Sequence, residues 1–132
     1  MRCDAWETLP APEIHLFHGK KKCRRFLERH GLEFECPELA RAVTFAFVSD
    51  GTPYAAVLIG RESLGMEDFE DMALIAHEAG HVAMFAFECM GEENPAEEEF
   101  CYMLQSITGS LCEAHLSWKA SERARTEGKA NG

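Results

Sequence analysis

Residues 77–81 read His-Glu-Ala-Gly-His, an instance of H-E-x-x-H within the run from Asp71 to Phe85. Four residues advance an α-helix by about 400°, so on a helix His77 and His81 stand about 40° apart, one turn above the other. Two imidazoles so placed can hold one zinc ion between them. Glu78 is turned about 100° from His77, which suits a carboxylate that acts on water at the metal rather than ligating it. The chemistry implied is metal-dependent hydrolysis, with Zn2+ as cofactor, His77 and His81 as ligands and Glu78 as general base.

A catalytic zinc commonly takes three protein ligands and keeps a position for water. The segment that follows the motif supplies candidates in Glu97, Glu98 and Glu99. Gly91-Glu92-Glu93-Asn94-Pro95 interrupts the chain, and Pro95 opens a second helix with Phe100, Leu104, Ile107 and Leu111 at helical spacing. That helix is expected to end near Trp118. Periodicity turns Glu97 or Glu98 inward without choosing between them.

The motif helix itself is expected over about Glu67 to Met90. Glu67, Asp68, Glu70 and Asp71 favour a helix N-terminus through the macrodipole. Its residues are apolar nearly all round between Met72 and Phe87, which predicts a helix in the middle of the core. Upstream, Val43 to Val48 and Tyr54 to Ile59 are two apolar runs joined by Ser49-Asp50-Gly51-Thr52-Pro53, the pattern of a β-hairpin. Glu13 to Phe17 alternates as a short strand, and Lys20 to His30 reads as an amphipathic helix stopped by Gly31. The expected order is an irregular lead-in over 1–12, an α+β domain over 13–118 and a polar, flexible tail over 119–132.

With 132 residues, 46% hydrophobic and 27% charged, the chain has the composition of one globular domain. A net charge of −10 argues against nucleic acid or an anionic membrane as the main partner. The charge is uneven: Lys20 to His30 carries six basic residues and one acid, and Glu88 to Glu99 carries six acids and no base. The basic stretch reads first as a solvated helix face and second, over Lys20 to Arg29, as a docking face for an acidic protein. Met1 to Glu7 contains no apolar signal segment, and no run of about 18 apolar residues occurs. Six cysteines without a C-x-x-C pair then predict reduced thiols in a cytoplasmic protein.

From Glu13 to Trp118 the order strand, helix, hairpin, H-E-x-x-H helix and Glu-bearing helix resembles the short zinc metallopeptidases encoded by tailed phages and prophages. It is more distantly similar to the ImmA/IrrE-type peptidases. The resemblance implies a minimal zincin-like fold, a gluzincin-like ligand set and a protein or peptide substrate in the host cytoplasm. In these families a Glu at the start of the following helix, in an E-x-x-A-aromatic or E-x-x-A-N pattern, is the third ligand. The matching residues here are Glu98-Glu99-Phe100-Cys101-Tyr102. The carry-over assigns the ligand to Glu98, with Cys101 in place of the usual Ala and with Glu97 and Glu99 as the alternatives of register. Tyr102 and His115 are the nearest candidates for oxyanion support, although both have simpler readings as helix residues. His15, His18 and His30 are read as structural or surface residues. The competing class is a non-catalytic assembly or host-interaction protein that keeps the zinc as a structural or vestigial site.

Overall fold

The computed structural model describes residues 2–3, 12–36 and 41–130. The lead-in over 4–11, expected as irregular, lies outside the described residues. Arg2–Cys3 (β1), which was not anticipated, pairs antiparallel with Glu13–Phe17 (β2). Lys20–Arg29 forms α1, and Ala42–Ser49 (β3) and Thr52–Ile59 (β4) form the hairpin. A 3-10 turn over Arg61–Gly65 leads into the motif helix, Asp68–Cys89 (α2), and the chain ends in Glu97–Ala130 (α3).

The sheet is mixed, in the order β1-β2-β4-β3, with β2 parallel and β3 antiparallel to β4. The hairpin turn is tighter than its five-residue signature suggests. Asp50 and Gly51 alone make it, at φ 49° and 77°, and positive φ at both positions is the turn whose twist matches paired strands. Pro53 therefore falls inside β4, opposite Val48. The ladder to β2 begins one residue later, at Tyr54, so the proline's missing N–H costs that ladder nothing.

One sheet face packs on α1 through Cys23, Phe26 and Leu27. The other packs on the α2–α3 hairpin, where Ile14, Leu16 and Val57 meet Ile75, Val82 and Ile107. Strand alternation sorts the hairpin accordingly: Val43, Phe45 and Phe47 go to the α1 side, and Thr44 faces α2. Gly91, at φ 73°, reverses the chain after α2. Its N–H bonds to the Glu88 carbonyl and the Glu92 N–H to that of Phe87, which satisfies carbonyls the helix end would orphan.

Two expectations change. First, α2 is not buried all round. The sheet and α3 cover one side, and His77, His81 and Met84 are exposed on the other. The reason is topological: α1 packs on the opposite sheet face and cannot close the third side. Second, α3 does not stop near Trp118. The stripe Met103, Ile107, Leu111 continues at every fourth residue into His115 and Lys119, both buried, and the helix runs to Ala130. Residues 131–132 of the expected tail lie outside the described residues.

Candidate metal centre

His77 and His81 project from the uncovered side of α2, and their Nε2 atoms are 3.2 Å apart. Two ligands at Zn–N distances of about 2.0–2.1 Å in a tetrahedral sphere are separated by about 3.3 Å. The pair therefore already has the spacing of one edge of a zinc coordination sphere. The one-turn offset on the helix accounts for it, since side chains lean toward the helix N-terminus and bring the i and i+4 rings together.

Glu78 faces the sheet. It is 4% exposed, and Thr44 Oγ1 donates to its Oε2 at 2.5 Å. A buried carboxylate without such a donor would be costly, and Thr44 fixes the orientation of Glu78. A cleft of about 580 Å3 between α2 and β3 is lined by Ala42, Thr44 and Ala46 on one wall and His77, Glu78 and His81 on the other. β3 is the edge strand, so its outer main-chain groups border this cleft.

Glu98 is not brought to the histidines. Phe87 stacks on Phe100 at 5.9 Å between centroids, His115 bonds to Asp71 and Lys119 to Asp68. These pairs fix an antiparallel register that sets the level of His77 and His81 opposite residues 106–110 of α3. Glu98 is exposed in the first turn of α3, level with residue 89. That is about 12 Å along the axis from His81 at about 1.5 Å per residue. Glu97 and Glu99 share this displacement. Among the described residues no three His, Cys, Asp or Glu side chains form a metal-binding group. Tyr102, exposed on α3, is likewise outside the cleft lining.

A second polar cluster, which sequence reasoning missed, lies at the end of the sheet. Asp71 Oδ2 accepts from Lys119 Nζ at 2.6 Å and from His115 Nε2 at 3.1 Å. The other ring nitrogen of His115, Nδ1, shares a hydrogen bond of 2.9 Å with His18 Nε2. Lys119 also donates to the Met66 carbonyl and to Asp68, each at 3.0 Å. Burial alone would lower the Lys119 pKa, but its hydrogen bonds to Asp71 and Asp68 outweigh that and hold it above the ordinary value. The Lys119 hydrogen bond in turn lowers Asp68. His18, stacked on Trp118 at 3.7 Å, is lowered to about 3, by desolvation first and then by its neighbour His115. His15 bonds locally to Glu13 at 3.1 Å, and His30 ties the end of α1 to Ser49 of β3 at 2.9 Å, as structural residues do. The legible signal for the missed cluster was the period-four continuation of the α3 stripe.

No protein-family model matches the chain, and no curated protein or solved structure is significantly similar to it. Among the described residues no helix is long and apolar enough to cross a membrane.

Proposed function

We propose that the chain is a zinc-dependent peptide hydrolase of minimal zincin-like fold, in which His77 and His81 hold the metal and Glu78 is the general base. The observation that carries this reading is the 3.2 Å spacing of the two Nε2 atoms on one wall of a cleft that Glu78 also lines. A zinc ion held there would supply Lewis acidity, polarising a peptide carbonyl and acidifying water. Glu78 takes the proton from the attacking water and returns it to the leaving amine. Thr44 keeps that carboxylate aimed by donating to its Oε2. The outer edge of β3 offers main-chain donors and acceptors to an extended peptide, which would add to the sheet as a further strand. His115, committed to Asp71 and His18 in the buried cluster, has no part in this chemistry.

A second reading is favoured by one observation: among the described residues no third ligand accompanies the two histidines. On that reading the protein is a non-catalytic assembly or host-interaction protein with a structural or vestigial zinc site. The two are separated by measuring bound zinc and hydrolysis of a peptide library for wild type and Glu78→Gln. Zinc retained by both proteins, with turnover only in wild type, is expected. Zinc retained by both with turnover in neither would favour the second reading. A zinc-free wild type, indifferent to His77→Ala, would overturn both.

A further inference from the structure

The start of β3 borders a second cavity, of about 310 Å3, and its charge is opposite to that of the molecule as a whole. Among the described residues Lys20, Arg41 and Arg61 line it with one carboxylate, Glu62, whereas the chain carries a net charge of −10. Arg61 is held in place: it pairs with Glu122 at 3.0 Å and its guanidinium lies 5.6 Å from the centroid of the Trp118 ring. His18 forms part of the wall and is neutral near pH 7, so it neither adds to nor opposes the positive field.

Ala42 and Val43 line both this cavity and the cleft that holds His77, Glu78 and His81. The two spaces therefore flank the same end of the edge strand, the cavity toward α1 and the cleft toward α2. Thr44 marks the level of Glu78 on β3, and Arg41 lies three residues before it, about 10 Å at about 3.3 Å per residue. A peptide added antiparallel to β3 runs toward Arg41 in its own N-to-C direction. The third residue or so beyond the reacting carbonyl then reaches the basic cavity.

We propose that this cavity is a carboxylate-binding subsite for a peptide lying along β3, on the C-terminal side of the bond at Glu78. Resting on the hydrolase reading for its orientation, it assigns the protein a substrate with a negative charge about three residues past the scissile bond. That carboxylate is either the chain terminus of a short peptide or an acidic side chain. Arg41 and Lys20 are the specificity-determining residues, and Arg61 is the cation fixed between Trp118 and Glu122. Cations that line one cavity can give charge-assisted hydrogen bonds to a carboxylate, and guanidinium groups match its geometry.

The test measures binding rather than turnover. Fluorescein-labelled, N-blocked hexapeptides are titrated by anisotropy into zinc-loaded Glu78→Gln protein. One peptide carries a free C-terminal carboxylate, one a C-terminal amide, and one an amide with an internal glutamate near the C-terminus. At least one carboxylate peptide is expected to bind about tenfold or more tightly than the neutral amide. Arg41→Gln and Lys20→Gln, both at exposed positions, are each expected to remove most of that preference. Preference for the free terminus alone assigns a terminal carboxylate, and preference for the internal glutamate assigns an acidic side chain. Equal binding of all three peptides, or a preference that survives both substitutions, overturns the proposal. Hydrolysis by wild type is scored separately, so a protein that selects carboxylates through Arg41 but cleaves nothing loses the hydrolase reading and keeps this subsite.

Discussion

Lys119→Met tests whether the end of the α2–α3 hairpin is held by a buried ion pair. Lys119 and Asp71 are each 1% exposed, and the ammonium lies 2.6 Å from Asp71 Oδ2. Methionine keeps most of the stem's volume and removes the charge, which leaves the Asp71 carboxylate buried with His115 as its remaining partner. Breaking a buried pair from one side costs about 3–5 kcal/mol, and the retained His115 hydrogen bond places the expectation near about 3 kcal/mol. For a domain of this size that corresponds to a fall in Tm of roughly 10–15 °C. The assay is thermal and urea unfolding followed by far-UV circular dichroism. Asp68→Asn is the control, because Asp68 is 54% exposed and solvent screens its pair with Lys119, so its loss should change stability far less. The double variant Asp71→Asn with Lys119→Met should recover much of the loss, since neither charge is then buried alone. A loss below about 1 kcal/mol for Lys119→Met, or strictly additive effects in the double variant, would refute the argument.

Other expectations follow from the two polar clusters and the helix register. Glu98→Gln should leave zinc affinity within about twofold, whereas His81→Ala should weaken it by about 100-fold or more, as read by competition with a chromophoric chelator. An equal loss in both would show that the first turn of α3 reaches the metal. Thr44→Val should destabilise the fold by about 1.5–3 kcal/mol in urea titrations by stripping a buried carboxylate of its donor, with Thr44→Ser largely preserving stability. His18 is lowered from 6.5 to about 3 in the folded state, so the unfolded chain binds the extra proton between those values. Stability should therefore be lost as pH falls from about 6.5 toward 3, and His18→Gln should flatten that limb of the curve. Truncation after Trp118 removes Lys119 and should destabilise the domain at least as much as Lys119→Met.

The local elements were legible because each depends on neighbours in sequence. The strand of alternating residues at Glu13, the apolar hairpin around Asp50-Gly51, the acidic start of α2 and the stop at Gly91 are decided within a few residues, by side-chain period and backbone sterics. The 3.2 Å pairing of His77 and His81 belongs to the same class, since a single turn of helix creates it. What failed was inference across elements. The apolar circumference of α2 predicted full burial, yet how much of a helix is covered depends on where α1 and α3 go. The polar look of Lys119 predicted a tail, yet a charge can continue a buried stripe when Asp71 lies opposite.

The third ligand shows the same division most plainly. By itself the sequence determined that two imidazoles and a carboxylate share one helix, and that three glutamates begin the next. Only the tertiary structure decided which of them meet. The antiparallel register fixed by Phe87 with Phe100 and Asp71 with His115 carries Glu98 about two turns past the histidines, whereas β3, distant in sequence, brings Thr44 onto Glu78. Spacing along a chain sets distances within an element; the offset between two packed elements is set by which side chains interlock, and that is not written in either element alone.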